Sequence, residues 1–229
     1  MERLAVLVAG SASARSTKCN GGWAWVLAFV LVSLLVATPA MADRGALSLD
    51  ISLGAAALSL PAPYASSGGN ILAADFEAML GLRYAVTNEL EFTLAGYFEP
   101  NVSYTHNNVT LTQVAYGSTT GNLTHSLSTY GIVAGIRYVR GAVWKLVVGL
   151  EGGWNHRTYS GIQFVFAGNQ AALPGFPTDN IVLQPLLGVE WAFADHWSAS
   201  LLPRFSFLIG PDSTVGASLM LGISYSWFL

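Results

Sequence analysis

Residues Tyr130–Trp154 read YGIVAGIRYVRGAVWKLVVGLEGGW. Taken two at a time, Tyr130, Ile132, Ala134, Ile136 and Tyr138 form one row, and Gly131, Val133, Gly135, Arg137 and Val139 the other. After Arg140-Gly141 the alternation resumes, with Trp144, Leu146, Val148, Leu150 and Trp154 against Lys145, Gly149, Glu151 and Asn155. A period of two sends alternate side chains to opposite faces of a strand. One face of this hairpin is continuously apolar and ends in aromatics; the other carries charges and glycines. A water-soluble sheet buries its apolar face in a core. A lipid-facing barrel shows that face to acyl chains and turns its charges inward.

Composition favours the second arrangement. Only 10% of the 229 residues are charged, well below the ~25% of ordinary soluble domains. A spanning helix needs ~20 mostly apolar residues, and beyond residue 42 every apolar run is soon broken by a charge, Gly, Pro or Ser. The one long apolar run is Trp23–Ala37, preceded by Arg3, Arg15 and Lys18 and followed by Ala40-Met41-Ala42. Basic flank, apolar centre and A-x-A exit predict a helical signal peptide over 1–42, cleaved after Ala42. Cys19 leaves with it, so residues 43–229 contain no cysteine, disulfide or thiol nucleophile. Those residues carry seven basic and twelve acidic side chains, a net −5, which argues against nucleic acid as a partner.

Residues 43–229 are expected to form one domain of eight alternating segments. The outward rows are Leu47–Leu53, Phe76–Tyr84, Leu90–Phe98, the two rows of the hairpin above, Ile181–Phe193, Trp197–Phe207 and Val215–Leu229. A repeat supports the count: Gly81-Leu-Arg-Tyr84, Gly135-Ile-Arg-Tyr138, Gly188-Val-Glu-Trp191 and Gly222-Ile-Ser-Tyr225. The first three precede short turns, and Tyr84, Tyr138, Trp191 and Tyr225 all fall on outward rows. Amphipathic rings at one height form a girdle at a membrane interface. No Asp, Glu, Lys or Arg falls on an outward row. The inward rows hold Asp50, Asp75, Glu77, Arg83, Glu91, Glu99, Arg137, Lys145, Glu151, Glu190 and Arg204. Pro185 and Pro203 lack an N–H for the ladder and mark a bulge or local break. The connections 61–71, 100–125 and 156–180 are predicted as long loops, with 156–180 apolar and its first half extending the hairpin.

Leader, eight alternating segments, aromatic rows and the closing strand Leu219, Leu221, Ile223, Tyr225, Trp227 and Leu229 resemble small bacterial outer-membrane barrels of the OmpA, OmpX, OmpW and opacity-protein type. The likeness lies in pattern and identifies an architecture. It implies an all-β, eight-stranded, antiparallel up-and-down transmembrane barrel in the outer membrane of a Gram-negative cell. It also implies a monomer whose partners are outer-membrane lipid and lipopolysaccharide. In this group the last strand usually ends in Phe and is read by the barrel-assembly machinery; here the terminal residue is Leu229.

Three functions are compatible with that architecture: a non-enzymatic structural and surface-exposed envelope barrel, a narrow porin-like channel for ions or small hydrophobic ligands, and a lipid A-modifying enzyme. For the channel, Asp75, Glu77, Arg83, Glu91, Arg137, Lys145, Glu151, Glu190 and Arg204 either line a path or fill the interior as ion pairs. Small inward residues such as Gly135 and Gly188 either leave room for water or relieve crowding. Phe164, Phe166 and Phe176 mark a candidate ligand loop. For the enzyme, His125 with Ser126 or Ser128 invites comparison with an activated serine, yet neighbours one or three apart on a strand face opposite ways. No catalytic residue, metal ligand set or cofactor is therefore expected. Charge placement also predicts that Leu82→Arg, facing lipid, harms folding far more than Gln184→Arg, facing the lumen.

Overall fold

The computed structural model describes residues 44–67, 70–113 and 117–228. The predicted leader and Leu229 lie outside that range. The strands are β1 (Ala46–Leu60), β2 (Ile71–Ala85), β3 (Leu90–Gln113), β4 (Gly117–Gly141), β5 (Trp144–Phe166), β6 (Asn169–Ala172), β7 (Phe176–Ala194), β8 (Trp197–Ile209) and β9 (Thr214–Phe228). Pairing runs β4-β3-β2-β1-β9-β8-β7-β5, and β4–β5 closes the ring. Every pair is antiparallel. This is a closed eight-stranded barrel; β6 is a short extra strand folded back on β5. At the level where Ala78–Ala85 of β2 pairs with β3, closure leaves no unpaired edge around the ring.

The alternation places side chains as physical chemistry requires. Ile51, Leu80, Leu94, Ile132, Leu150, Leu187, Phe205 and Leu221 point outward and are exposed. Arg83, Glu91, Arg137, Glu151, Glu190 and Arg204 point inward and are buried. Arg140 and Asp179 share the outward parity but lie at opposite ends of the belt. Between them, no described Asp, Glu, Lys or Arg faces outward. The four repeat copies end at the short-turn end, where Trp144 stacks on Trp191 (centroids 5.7 Å apart) and Trp197 meets Tyr225 edge-on at 4.9 Å. The prolines thin the ladder without bulging it. Leu183↔Phe207, Leu186↔Arg204 and Val189↔Leu201 keep a single register across Pro185 and Pro203.

The inward glycines relieve crowding. A Cβ on Gly135 would lie 2.2 Å from the Leu150 carbonyl oxygen, and one on Gly188 2.2 Å from that of Leu201. Outward Gly152 has room, its nearest neighbour being 3.6 Å away. The obstacle at Gly135 is a paired strand, which cannot shift alone. Gly135→Ala is therefore expected to cost about 1–3 kcal/mol, as overpacking does. Gly152→Ala should cost little. Urea midpoints of the two variants in detergent micelles check the difference.

At the long-hairpin end the chain departs from expectation. Residues 101–113 and 117–125 are strand rather than loop, and His125 lies within β4. Only Ala78–Ala85 of β2 pairs with β3, so above Phe98 the β3–β4–β5 sheet continues past the ring. Here the polarity of the faces inverts. Ser103, Thr105, Thr110, Thr112, Ser126 and Ser128 face outward, while Tyr104, Val109, Leu111, Leu123, Leu127, Tyr159, Ile162 and Phe164 are buried inside. Register shifts after Glu99, after His106 and between Thr124 and Ser126 adjust the phase. Gly161 adopts φ +57° beside the last shift, a conformation that β-branched residues rarely take. An apolar inside and a hydroxylated outside is the pattern of a water-bathed sheet.

Candidate functional site

The interior holds two distinct regions. Toward the short turns lies an ion network built on three arginines. Arg83 Nε is 2.7 Å from Asp50, and its Nη1 is 3.1 Å from Glu91 and 2.7 Å from Glu190. Arg137 Nη2 is 2.9 Å from Glu151 and its Nη1 3.7 Å from Asp50. Arg204 reaches the other Glu151 oxygen at 3.2 Å, and Lys145 lies 3.6 Å from Glu190. Thr93 donates its hydroxyl to Glu151. The Arg83–Asp50 and Arg204–Glu151 contacts are close ion pairs whose N–H vectors miss hydrogen-bond alignment. Barrel closure makes this network, because register brings β1, β2, β3, β4, β5, β7 and β8 charges to one level. Arg83 stands opposite Thr93 and diagonal to Glu91, as the hairpin around residues 87–89 requires.

Asp75 and Glu77 stand apart from those pairs. Asp75 accepts the Tyr104 hydroxyl at 2.9 Å, and Glu77 is buried with Arg204 as its attractive neighbour. Between and above the charges, Met79, Tyr97, Val133, Val182, Leu186, Leu202, Leu208 and Met220 pack into one apolar cluster. Tyr97 accepts a hydrogen bond from Asn155 at 2.7 Å, and Gln184 donates to Ser206 at 3.0 Å. Inward side chains are buried along the length of the interior, and eight strands enclose a space just wide enough for them.

The second region is the cap above the belt. Its core comprises Leu60, Ala73, Tyr104, Val109, Leu111, Leu123, Leu127, Tyr159, Ile162 and Phe164. Phe164 is buried and stacks on Phe166 at 5.3 Å; Phe176 stacks on Tyr159 at 4.9 Å and meets Tyr64 edge-on at 5.1 Å. Tyr159 donates its hydroxyl to Asp212, which also accepts from Thr178. Burial and the adjoining Asp212 carboxylate push the Tyr159 phenol up. Burial and the bond to Asp75 do the same for Tyr104. Inside this core His106 and His125 face one another, Nε2 to Nε2 at 3.0 Å.

Among the described residues, His125 and the neighbouring serine hydroxyl do not converge. His125 points inward, whereas Ser126 points outward and shares a hydrogen bond with Ser103 at 2.9 Å. Among the described residues no group of three or more His, Cys, Asp or Glu is placed to hold a metal ion. At the upper rim Asp179 accepts from Trp154 Nε1 at 3.0 Å and lies 2.8 Å from His156 Nδ1, with Tyr130 against both rings. The sequence contained the residues of the His106–His125 pair and this rim cluster, but its apparent loops concealed their strand phase.

A closed antiparallel ring with an apolar outer belt, two aromatic rims and an ionic interior defines the class of small outer-membrane β-barrels. Among solved structures the chain resembles Neisserial surface protein A at 14% identity and TM-score 0.51, covering 80% of this chain and 99% of that one. It also resembles Ail of Yersinia pestis (15%, TM-score 0.48, 81% and 100%) and OprG of Pseudomonas aeruginosa (12%, TM-score 0.44, 82% and 99%). At such identities the likeness concerns the fold. No protein-family model and no curated protein matches the chain.

Proposed function

We propose that this protein is an integral outer-membrane barrel without enzymatic activity that seals its own lumen and presents a folded cap outside the cell. The observation supporting this reading is the buried interior: the Arg83 and Arg137 networks and the Met79–Met220 cluster lie where a conducting path would have to pass. Lipid contacts the exposed apolar belt, and Tyr84, Tyr138, Trp191 and Tyr225 sit at the periplasmic headgroups with the short turns below them. Tyr130 and Trp154 mark the outer rim. The hydroxyl-bearing face above them stands in the lipopolysaccharide sugar layer. The closing strand β9 carries the signal for barrel assembly. Phe164, Phe166 and Phe176 serve as cap core rather than as a ligand pocket.

Planar-bilayer recording of the refolded barrel tests the sealed lumen. The expected trace has no reproducible conductance steps. Uniform steps that scale with salt concentration would establish the channel instead. Mass spectrometry of lipid A, with and without expression, should show identical species; a new acylation state would establish an enzyme.

A further inference from the structure

His106 on β3 and His125 on β4 are both fully buried, with ring planes inclined at 20° and centroids 5.1 Å apart, so that they meet edge to edge. Their Nε2 atoms are 3.0 Å apart. Such a bond needs one protonated and one bare Nε2. If both imidazoles were charged, two N–H groups would point at each other and two positive charges would share an apolar core, so the pair must separate or become solvated. The pair lies well above the lipid belt, in the part of the sheet whose outer face is hydroxylated.

Polar and charged groups from several elements pack around the pair. β1 contributes Leu60, β2 Ala73 and Asp75, and β3 Tyr104. β5 contributes Tyr159 and Arg157, and the β8–β9 turn Asp212. Tyr104 and Tyr159 rings lie 5.9 and 5.3 Å from His125, each donating to its own carboxylate. Burial, then the neighbouring His106, hold the His125 imidazole down to about 4, with the Ser126 backbone and Asp212 pulling the other way. The cap also has a weak seam. Above Phe98, β3 leaves β2, and the gap is spanned by Tyr104 to Asp75 and by an isolated bridge, Ser67↔Thr110, with Ser66 bonded to the Thr110 carbonyl and to Thr112.

We propose that the His106–His125 pair is an acid-operated latch, whose protonation frees the β3–β4 hairpin along the β2/β3 seam and exposes the apolar interior of the cap. The sign follows from linkage. An imidazole depressed when closed and ordinary (~6.5) when open favours the closed cap above pH ~6.5 and loses that preference as pH falls toward about 4. One such histidine shifts the open-to-closed ratio by up to about 300-fold over that interval. The belt strands should not respond.

Amide hydrogen exchange on the barrel in detergent micelles at pH 7.5 and 4.5, corrected for intrinsic rates, tests the latch. At pH 4.5 peptides covering 101–112 and 118–127 should lose roughly 100-fold in protection, while 131–139 and 215–225 keep theirs. The double variant His106→Gln, His125→Leu should lose the acid response in the cap. Undiminished cap protection at pH 4.5 in the unaltered barrel overturns the latch, as does an acid response that survives in the double variant. Should that variant misfold, histidine NMR of the unaltered barrel decides: a ring that stays neutral to about pH 5 supports the latch, and titration of all four rings near 6.5 overturns it.

Discussion

Replacing Arg83 with Met is expected to destabilise the barrel by about 3–5 kcal/mol, the cost of stripping a buried ion network of its shared partner. Arg83 holds Asp50, Glu91 and Glu190 within 3.1 Å, and its side chain is 3% exposed. Removing it leaves carboxylates from three strands facing one another without their common counter-charge. Methionine restores much of the volume, so the loss reports electrostatics and hydrogen bonding more than a cavity. Lys145→Met should be far milder. Its amine is 3.6 Å from Glu190 and its side chain is 17% exposed, so water replaces it. Glu91→Gln added to Arg83→Met should recover part of the loss, because one uncompensated charge disappears. Urea unfolding in micelles, followed by tryptophan fluorescence, measures all three. Equal midpoints for Arg83→Met and Lys145→Met would show that the lumen is wet enough to screen its charges.

Leu221→Arg should cost about 2–4 kcal/mol, and Leu82→Arg only about 0–1, because a lipid-facing arginine is penalised by depth. Leu221 is 64% exposed on the outer wall, midway along the outward row between Tyr225 and Val215. Leu82 also faces outward, but it lies two residues from Tyr84, and an arginine there can extend its guanidinium to the headgroups. The strong test of the belt is therefore at Leu221. Gln184→Arg provides the inward control: Gln184 pairs with Glu151 across β5–β7, which offers the new cation a partner. Refolding yields into phospholipid vesicles should rank Gln184→Arg and Leu82→Arg above Leu221→Arg. If Leu221→Arg refolds as well as Gln184→Arg, the outer wall does not face hydrocarbon.

Much of the wall was legible from residue order. In the Tyr130–Trp154 hairpin the alternation, the exclusion of charge from one row and the short turn at Arg140-Gly141 assign both strands, and the structure pairs Ile132 with Trp154 and Ile136 with Leu150 accordingly. The diagonal Arg83–Glu91 contact was also within reach, because a hairpin turn dictates local register. Arg83 to Glu190 was not. Those residues are 107 positions apart and meet only because β1, β9 and β8 complete the ring between β2 and β7. The candidate ligand loop shows a different gap. An apolar Phe164 or Phe176 reads the same in a pocket lining as in a packed core, and only its neighbours Phe166 and Tyr159 distinguish them.

The period-two rows and their one-sided charge determined, from sequence alone, that this chain is a β-barrel with an apolar wall, since hydrocarbon tolerates neither open strand edges nor outward charge. The tertiary structure decided where that wall stops. Above Tyr130 and Trp154 the outer face changes character: hydroxyls turn outward and apolar side chains inward on the same strands, the arrangement a strand adopts in water. A linear pattern of Thr, Ser and Asn carries no mark of which medium it will meet, and the shifts after Glu99 and His106 further scramble its phase. Hence the cap looked like loops, and the meeting of His106 with His125 became visible only once β3 and β4 were paired.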